Sequence, residues 1–556
     1  MTPDQRTPAE LPCAVDVLVI GAGPTGLALG YDLLGRGVDT LVVDLMTHRA
    51  RHPKAKFVNL RSMALLRRWG LAERLRAAAP IPPDHPSDVH YVTALTGEVI
   101  ASVPDAFPTG DRAGAAHPEP ALRIPQPVFE DVLEDALRAR SGERLPVLGW
   151  RLELLRQHRH SVEATLVEVD TGRTRQVRAR YVVGADGGRS TVRASIDAVM
   201  IGRPALARSV GAVFRAPTLS ERLTAGPGVH YWVVDDNLPT TPGFGPLDLR
   251  GMWFFQAMGV PEGFPADVET AAAIISTAIG DDLPFEVIDV APWTVHHLQA
   301  DRYRRSRIFL AGDAAHLHPP TGGFGMNMGL ADAVDLSWKL AAVLGGWGGP
   351  GLLGSYELER RPVHSRTMEQ SVRNFGAVDL RTPAGADPAQ WRRQLGQRLA
   401  GPSPRYFDSV ALQVGYHYEG SPLVSPEPAA SSAGDTAAYR PSAAPGHLLP
   451  HAWLSDRSST LDLLGEGFTL LAYRDATTGP VRQAAEARQI PMRVAVYHDE
   501  AVRTLLGRDL VLVRPDQHVA WRGDDVALAV AALDTATGRA VAAAAATPRI
   551  GIVRAG

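Results

Sequence analysis

A glycine-rich turn near the N-terminus constrains the fold of this chain more than any other feature. Gly21-Ala22-Gly23-Pro24-Thr25-Gly26 follows a short apolar run at 15–20 and precedes apolar residues with helical spacing over 27–36. A second strand is predicted over 38–43, and Asp44 closes it. This strand–turn–helix–strand order is the context in which a G-x-G-x-x-G motif binds a dinucleotide. The N-terminal region is therefore predicted to form a Rossmann-like unit.

Each glycine of the turn has a distinct physical role. Gly21 permits the tight turn, Gly23 lets a pyrophosphate approach the helix N-terminus, and Gly26 allows the helix and strand to pack closely. A carboxylate at position 44 can accept hydrogen bonds from ribose hydroxyls. The motif alone leaves NAD and FAD undecided. The cofactor-binding residues predicted in this unit are Gly21, Gly23, Pro24, Thr25, Gly26 and Asp44.

Composition excludes several classes of function. The chain has 556 residues, which predicts about three domains at the usual domain size. Its formal net charge is −3, with 57 basic and 60 acidic residues, so no basic bias points to nucleic acid or an anionic membrane. The single cysteine, Cys13, excludes intrachain disulfides, cysteine-rich zinc sites and a C-x-x-C redox pair, and no metal site is expected.

The sequence also carries no targeting signal that we recognise. Residues 1–12 lack the charged and apolar regions of a signal peptide. No run of about 18 apolar residues occurs, so a membrane span is not expected. We expect a cytoplasmic protein.

A second nucleotide signal lies three hundred residues after the first. The apolar run 307–311 leads into Gly312-Asp313-Ala314-Ala315-His316, and Pro319-Pro320-Thr321-Gly322-Gly323 follows. Asp313 is thereby placed at a sheet edge, where its carboxylate can bind the hydroxyls of a sugar or polyol. A helix beginning near Asn327 points free N–H groups toward the same place, which suits the negative charge of a reduced flavin. NAD needs no such second site, so the two signals together favour FAD.

Together these motifs resemble the class A flavoprotein monooxygenases, the group of p-hydroxybenzoate hydroxylase and phenol hydroxylase. The resemblance covers most of residues 14–375 and has three anchors in order. They are the N-terminal glycine turn, the segment Gly184-Ala185-Asp186-Gly187-Gly188-Arg189-Ser190, which is like the family's "DG" motif, and the segment that begins at Gly312. The C-terminal region is similar to that of the phenol-hydroxylase branch and of hydroxylases that tailor aromatic polyketides.

The resemblance implies roles for matching residues. Asp313 would bind the ribityl chain, Pro320 and Gly322 would lie near the reactive edge of the isoalloxazine, and the amides of Met326 and Asn327 would face N1/O2. Lys54 stands where the family often has an arginine, Gln126 matches a flavin-contacting glutamine, and Asp186 would help to hold the backbone on the FAD side and the transient NAD(P)H. The further cofactor-binding residues predicted on this basis are Lys54, Arg123, Gln126, Asp186, Gly312, Asp313, Pro320, Gly322, Gly325, Met326 and Asn327.

Catalytic and substrate residues are less sharply defined by the sequence. Relatives carry an aspartate or a histidine at the position of Lys56, where it could lower the pKa of a phenol or simply face solvent. His318, in the loop near the flavin, is a second candidate, and Pro320 completes the predicted catalytic set. Alternating aromatic strands predict a substrate sheet, of which only half the side chains face a ligand. Its predicted substrate residues are Tyr231, Trp232, Trp253, Phe255 and Gln256.

The reaction implied by the family uses NAD(P)H to reduce FAD, and O2 to form a C4a-hydroperoxide that hydroxylates an aromatic ring. The predicted substrate is phenolic or resembles a polyketide. Baeyer–Villiger insertion or another oxidation on the same scaffold is the first alternative. A non-enzymatic flavin-binding redox sensor or scaffold is the alternative from another class.

The predicted architecture is α/β, with three parts. A Rossmann-like FAD-binding domain of the glutathione-reductase type is interleaved with a mainly antiparallel substrate-binding sheet, and a thioredoxin-like α/β domain follows, through which the chain could form a homo-oligomer. The predicted boundaries are 14–85, 121–195 and 296–375 for the FAD-binding domain, 86–120 and 196–295 for the substrate domain, 376–420 for a helical connection, 421–446 for a linker and 447–556 for the C-terminal domain.

Overall fold

A computed structural model of the chain describes most of its residues. The described ranges are 11–49, 52–107, 109, 116–376, 380–399, 409–427, 439–474 and 476–540. Parts of the predicted helical connection (376–420) and linker (421–446) lie outside these residues, as does most of the N-terminal segment 1–12.

The first sheet is built around the N-terminal strand Ala14–Ile20. This strand pairs in parallel with Thr40–Asp44 on one side and Thr174–Gly184 on the other, so the predicted Rossmann-like unit is confirmed. Strand Ile308–Leu310 extends the sheet in parallel next to Thr174–Gly184, which brings the two nucleotide motifs to the same edge. The strand order is Arg304–Arg305, Ile308–Leu310, Thr174–Gly184, Ala14–Ile20, Thr40–Asp44 and Val147–Leu148, with the hairpin Trp150–Gln157 and Val162–Glu168 beside Thr174–Gly184.

The second sheet has eight strands and is antiparallel except at one pair. The parallel pair is His230–Val233 with Val89–Val92. Val89–Val92 also pairs antiparallel with Val99–Val103, and the two strands form a hairpin. The strand order is His316–Leu317, Glu286–Ala300, Met200–Arg215, Met252–Val260, Gly243–Pro246, His230–Val233, Val89–Val92 and Val99–Val103. Its strands alternate along the chain with those of the first sheet, as the predicted interleaving requires.

The third sheet belongs to the C-terminal region, and its element order is the predicted thioredoxin-like one. Strands Phe468–Tyr473 and Met492–Tyr497 are parallel, whereas Leu510–Val513 and Val519–Gly523 are antiparallel to their neighbours. Helices Gly479–Ala487, Glu500–Leu506 and Val526–Ala536 alternate with them. A small further sheet pairs Phe57–Val58 with Leu122–Arg123.

Helices cover the first sheet and close the core. The helix Pro24–Gly35 packs against both Gly325–Leu344 and Gln126–Ser141, and most of its side chains are buried. The remaining helices are Leu60–Arg68, Ala72–Ala78, Thr191–Ser195, Leu219–Arg222, Val268–Ile279, Ser355–Phe375, Pro388–Leu399 and Val410–Val414. Among the described residues, no helix combines the length and the apolarity that crossing a bilayer requires.

Two helical segments have bounds that bear on the site. Helices Leu60–Arg68 and Ala72–Ala78 are separate, because Gly70 adopts a left-handed φ of 71° between them. The helix predicted to begin near Asn327 starts two residues earlier, at Gly325. Its first turn carries no apolar periodicity in sequence, since the side chains there face a loop and a cavity rather than a uniform core.

The C-terminal domain is joined to the FAD-binding region by buried charges. Arg514, on the loop after Leu510–Val513, donates to both carboxylate oxygens of Glu359 at 2.5 and 2.9 Å. Lys339 donates to the same carboxylate at 2.5 Å and to Asp335 at 2.7 Å. All four side chains are buried, so this cluster is part of the interior that the domains share.

Candidate active site

One large cavity lies where the two nucleotide motifs and the second sheet meet. It has a volume of about 430 Å³. Its wall includes the turn before the helix Pro24–Gly35, the loop that follows Asp313, and one face of the second sheet. The predicted residues that line it are Gly23, Pro24, Thr25, Asp44, Lys54, Lys56, Arg123, Gln126, Gln256, Asp313, His318, Pro320, Gly322, Gly325 and Met326.

The N-terminal turn presents free backbone donors to this cavity. Gly21 has a φ of 105°, and a side chain at Gly26 would lie 1.8 Å from the Gly21 carbonyl oxygen, so both positions require glycine. A Cβ at Gly23, in contrast, would meet no protein atom within 4 Å, because this residue faces the open space. The helix Pro24–Gly35 begins without a side-chain cap. Its first N–H groups are therefore available to an anion such as a pyrophosphate.

Asp44 is held at the cavity by backbone hydrogen bonds. Its Oδ2 accepts from the amide of Ala22 at 2.6 Å, and its Oδ1 accepts from the amide of Met46 at 2.8 Å. Each carboxylate oxygen retains a second lone pair, so the side chain can still accept from the hydroxyls of a ribose.

Asp313 is brought to the cavity by the short helix Gly312–Ala314 at the end of strand Ile308–Leu310. Asp313 lines the cavity and is exposed there. Desolvation raises the pKa of Asp313, and electrostatic interactions with His316 and Lys54 oppose that rise. An acceptor in this position suits the hydroxyls of a polyol chain. Gly312 itself does not line the cavity but packs against Thr25, whose Oγ1 lies 2.6 Å from where a Cβ would be.

The loop after Asp313 ends in a second uncapped helix. Gly322 and Gly323 adopt left-handed φ values of 103° and 66°, and the helix Gly325–Leu344 then starts without a side-chain cap. The first turns of two helices thus reach one cavity, and both can favour negative charge there. This geometry and the open space at Gly23 fit a dinucleotide that carries a flat ring system.

Asn327 supports the loop with its side chain rather than lining the cavity. Its Oδ1 accepts from the amide of Asn59 at 2.9 Å, and its Nδ2 donates to the carbonyls of Phe57 at 3.0 Å and Gly323 at 2.7 Å. The side chain therefore fixes the loop to the segment that carries Lys56. Met326, which precedes it, does line the cavity.

Asp186 also acts within its own turn. Its Oδ1 accepts from the hydroxyl of Ser190 at 2.5 Å and its Oδ2 from the amide of Val192 at 3.1 Å. Burial raises its pKa, and these hydrogen bonds oppose the rise. The neighbours Ala185 and Gly187 line the cavity, whereas Asp186 does not. The side chain thus holds the turn whose neighbours line the cavity, and its expected role toward the cofactor and NAD(P)H stays a prediction.

Gln126 and Arg123 stand on either side of a sharp change from strand to helix. The Oε1 of Gln126 accepts from the amide of Ala55 at 3.0 Å, and its Nε2 donates to Glu130 at 2.7 Å. Arg123 donates to the carbonyl of Val229 at 3.2 Å and lies over the ring of Phe107 at 5.3 Å. The first residue therefore orders the segment that carries Lys54, and the second reaches the substrate sheet.

Lys56 lies between these regions in an apolar setting. Its Nζ is 4.3 Å from the centroid of the Phe254 ring and 3.5 Å from the Pro53 carbonyl oxygen. Burial lowers its pKa to about 7, and the nearby positive charge of Arg123 adds to this effect. A lysine that can lose its proton near neutral pH is rare at a solvated surface. The sequence left open whether Lys56 faces solvent, and the structure places it on the cavity wall.

His318 is the second titratable group near the loop. Burial lowers its pKa to about 3, and His316 contributes in the same direction. The two imidazoles are stacked, with centroids 5.7 Å apart and planes 9° from parallel. His318 is thus neutral at physiological pH and can exchange hydrogen bonds there, but it is a poor proton acceptor.

Most of the predicted substrate residues lie on the face of the second sheet that points away from the cavity. Tyr231, Trp253 and Phe255 are at most 1% exposed and pack with the helix Val268–Ile279 on the far side of the sheet. Trp232 lies on the near side, but it packs behind His230, with ring centroids 4.6 Å apart, in a second apolar cluster. The expected substrate contacts of Tyr231, Trp232, Trp253 and Phe255 are therefore corrected, and of the five predicted substrate residues Gln256 alone lines the cavity.

Several lining residues were not predicted from the sequence. His230 and Phe254 take the places on the sheet that were assigned to their neighbours, because the strand alternation is offset by one residue. Phe107 and Arg49 had no recognisable signal, since each reaches the cavity through a loop. The further lining residues are Ala22, Met46, His48, His52, Ala55, Phe57, Pro127, Glu130, Leu148, Ala185, Gly187, Pro319 and Gly323.

A buried network beneath the cavity holds the Asp313 loop. Asp332 accepts from His316 at 2.9 Å and from Arg360 at 2.8 Å, and His364 lies 2.9 Å away. His316, Asp332 and His364 offer ligand atoms close enough together for a metal ion. The guanidinium of Arg360 already pairs with the same carboxylate, which opposes a second cation at that point. The cluster is therefore a hydrogen-bond network.

Comparison with known proteins extends over both parts of the chain. A family model described as "FAD binding domain" matches residues 14–371, and one described as "Aromatic-ring hydroxylase, C-terminal" matches residues 442–544. The chain is 34% identical to 4-methyl-5-nitrocatechol 5-monooxygenase of Burkholderia sp, over 95% of this chain and 97% of that protein. It is 33% identical to tetracenomycin B2 monooxygenase-dioxygenase of Streptomyces olivaceus, over 92% and 95%.

Solved structures of flavin-dependent enzymes are also similar to this chain in fold. RebC soaked with chromopyrrolic acid, with bound 7-carboxy-K252c, has a TM-score of 0.86 and 36% identity, and the match covers 95% of this chain and 100% of RebC. The ternary complex of aklavinone-11 hydroxylase with FAD and aklavinone has a TM-score of 0.81 and 28% identity, over 94% and 99%. The chain belongs to the family of FAD-binding aromatic-ring hydroxylases with this C-terminal domain, and it is an FAD-dependent monooxygenase.

Proposed function

We propose that this enzyme hydroxylates a phenolic or polyketide-like aromatic compound with NAD(P)H and O2 as co-substrates. The observation that carries the proposal is the continuity of one cavity from the glycine turn at Gly23, past Asp313, to Gln256 on the second sheet. A cofactor held at the first two positions would present its ring to a substrate held at the third.

The residues on the cofactor side have matching chemistry. We propose that the uncapped helix after Gly23 binds the pyrophosphate, that Asp44 binds the ribose, and that Asp313 binds the ribityl hydroxyls. Pro320, Gly322 and Met326 would border the isoalloxazine. FAD, when bound and reduced by NAD(P)H, supplies the activation of O2.

The residues on the substrate side bind and orient. Phe254 offers an apolar wall, Gln256 a neutral amide and Lys56 a basic nitrogen, all on one end of the cavity. An aromatic ring stacked there would be shielded from water by protein, which a reactive oxygen donor requires. The histidine at 318 stays neutral at physiological pH, so its role would be to exchange a hydrogen bond near the ring.

The relatives support the substrate class. Tetracenomycin B2 monooxygenase-dioxygenase and the complex of a hydroxylase with aklavinone point to polyketide-type aromatic compounds, and 4-methyl-5-nitrocatechol 5-monooxygenase points to a substituted phenol. We infer that the cavity takes a compound from this chemical range. Self-association through the C-terminal domain and a cytoplasmic location, where NAD(P)H is available, stay predictions, as do the domain boundaries.

The test is a screen of aromatic compounds against the flavin-loaded enzyme. Consumption of NAD(P)H is measured beside the product mass, under labelled O2. The proposal predicts that at least one phenolic or polyketide-like compound accelerates NAD(P)H oxidation and gains one labelled oxygen. Insertion of oxygen into a carbon–carbon bond would instead favour Baeyer–Villiger chemistry. Failure of every aromatic compound to accelerate NAD(P)H oxidation would contradict the proposal.

A further inference from the structure

One side chain of the cavity wall also reaches the outer surface of the protein. His52 lines the cavity, and its Nδ1 lies 2.8 Å from Oδ2 of Asp289, on the strand Glu286–Ala300. Asp289 does not line the cavity, and its side chain is 50% exposed, whereas that of His52 is 23% exposed. The pair therefore spans the wall between the cavity and the solvent.

The second sheet leaves a space for the imidazole of His52. Gly211 pairs with the cavity-lining Gln256 on one side and with Ala291 on the other. A Cβ at Gly211 would lie 3.5 Å from Nε2 of His52, so the ring stands directly above a position that has no side chain. His52 thus lies beside Gln256, at the end of the cavity that we assign to the substrate.

The chain that carries His52 is fixed to the FAD-binding region from Ala55 onward. The amide of Ala55 donates to Oε1 of Gln126 at 3.0 Å, and its carbonyl accepts from the Gln126 amide at 2.8 Å. The strand Phe57–Val58 then pairs with Leu122–Arg123. A movement of the imidazole therefore leaves the following part of this wall in place.

The contact between His52 and Asp289 is weak enough to open. Pairs as exposed as this one favour the paired arrangement by a factor of no more than about five. The closed arrangement is thus preferred, yet it opens at little cost. An entrance needs both properties, because water has to be kept from a reactive oxygen donor while the substrate still has to pass.

We propose that His52 and Asp289 form a gate through which the aromatic substrate enters the cavity, closed by their contact beside Gly211 and opened when that contact breaks. The inference rests on the proposed function, because it takes the sheet end of the cavity as the substrate site. A weakened gate opens more often in the free and in the occupied enzyme alike. The pair therefore controls the rates of entry and exit and leaves the affinity nearly constant.

Stopped-flow binding to the flavin-loaded enzyme tests the gate, with naphthol and every aromatic compound of the screen as ligands. The change in flavin absorbance gives the association and dissociation rate constants. Asp289→Ala should raise both roughly two- to fivefold and should change the dissociation constant by less than about twofold. His52→Ala should raise both rate constants at least as much. Adding Asp289→Ala to it should have no further effect, since the two residues act through one contact.

A second exposed pair on the same sheet provides the matched control. Glu262 lies 3.1 Å from Arg208 of the strand Met200–Arg215, and neither side chain lines the cavity, so Glu262→Ala should bind ligands at wild-type rates. Unchanged rate constants in Asp289→Ala would overturn the inference. So would a weaker affinity that arises from dissociation alone, because the pair would then belong to the binding site. A double variant faster than His52→Ala would show that the two residues act separately and would also overturn it.

Binding and turnover separate this inference from the proposed function. Faster entry and exit in Asp289→Ala, with no oxygenated product from any aromatic compound, would support the gate and contradict hydroxylation. Hydroxylation by an Asp289→Ala enzyme that binds at wild-type rates would support the proposed function and overturn the gate. Failure of every aromatic compound to bind would overturn both.

Discussion

Asp332 accepts a hydrogen bond from the backbone amide of Gly312 at 3.1 Å, in the buried layer beneath the cavity. The two residues lie on different elements, since Asp332 belongs to the helix Gly325–Leu344 and Gly312 precedes the cavity-lining Asp313. The helix therefore fixes the position and orientation of the loop that carries Asp313. Asp332 also pairs with Arg360 at 2.8 Å, which ties the loop to the following helix.

Asp332→Ala should destabilise the protein strongly. The substitution leaves the buried guanidinium of Arg360 without its carboxylate, a change that usually costs about 3–5 kcal/mol. Denaturant unfolding of the flavin-free protein measures the loss. Asp282→Ala is the control, because Asp282 is exposed in a loop and pairs with no basic side chain among the residues that the structure describes. Unfolding curves that coincide for wild type and Asp332→Ala would contradict the structural role of this network.

Asp313→Ala should purify colourless or lose FAD readily. The alanine removes the carboxylate that we expect to bind the ribityl hydroxyls, and this carboxylate forms no salt bridge among the residues that the structure describes. Flavin absorbance per mole of purified protein measures the effect, and Asp282→Ala again controls for the loss of an acidic residue. A fully yellow and active Asp313→Ala enzyme would contradict the ribityl role.

Gly23→Ala and Gly26→Ala should fail in different ways. A methyl group at Gly26 would lie 1.8 Å from the Gly21 carbonyl oxygen, so this variant should lose thermal stability even without cofactor. A methyl group at Gly23 meets no protein atom within 4 Å, so this variant should melt like wild type and yet bind FAD more weakly, because the methyl group enters the cavity. Melting temperature of the apoprotein and flavin content are measured on both. A Gly23→Ala variant with normal FAD affinity would place the pyrophosphate elsewhere.

The glycine positions show why the fold was largely predictable. At Gly21 and Gly26 only glycine fits, and this requirement can be recognised from the local sequence motif alone. The strands beside them are also easy to recognise, because they are short apolar runs. The second motif could be interpreted equally well. A buried apolar strand followed by Gly312-Asp313 is typical of a strand whose carboxyl end lies at the ligand-binding edge of a parallel sheet. Both motifs lie at the same edge of the first sheet, because Thr174–Gly184 pairs in parallel with Ala14–Ile20 on one side and Ile308–Leu310 on the other.

The substrate wall was less predictable for a physical reason. In a strand with aromatic residues on both faces, hydrophobicity does not say which face packs on a helix and which faces a ligand. Phe254 and Phe255 are adjacent and chemically identical, yet only the first lines the cavity. The helix Val268–Ile279 settles the question by covering the other face. Long-range contacts such as those of Asp332 and Arg514 had no local signature in the sequence.

Lys56→Met should stabilise the apoprotein near neutral pH. Burial lowers the pKa of Lys56 from its ordinary value of 10.5 to about 7, with Arg123 contributing. Between these values the unfolded chain holds a proton that the folded chain has released, so this lysine makes stability rise with pH. At and below about pH 7 the folded protein carries the full cost of a buried ammonium. The gain in melting temperature from Lys56→Met should therefore be largest there.

The pH profile separates this effect from simple packing. The gain from Lys56→Met should shrink as the pH is raised toward 10.5, because the lysine then becomes neutral in both states. Melting temperatures of wild type and variant are compared across this range. Lys54→Met removes an exposed lysine from the same cavity and should leave the melting temperature unchanged within error. A gain that is constant with pH would show that the methionine acts through packing alone.

Arg514→Leu should uncouple the C-terminal domain from the FAD-binding region. Arg514 donates to Glu359 at 2.5 and 2.9 Å and to Asp335 at 3.2 Å, and all three side chains are buried. Its loss leaves Lys339 as the remaining basic partner of both carboxylates, and breaking a buried pair in this way costs about 3–5 kcal/mol. Denaturant unfolding measures the change. Arg508→Leu is the matched control, because its pair with Glu427 is 46% exposed on the arginine side and such pairs contribute about 0–1 kcal/mol.

Deletion of residues 447–556 should have a larger effect of the same kind. The truncated chain would expose the buried carboxylates of Glu359 and Asp335 and the rings of Trp338 and Trp347, which pack with Phe468. We therefore expect poor solubility or aggregation rather than a selective loss of chemistry, and size-exclusion chromatography measures it. A truncated protein that stays soluble and flavin-loaded, yet loses reduction by NAD(P)H, would show that this domain contributes to the reaction as well as to the fold.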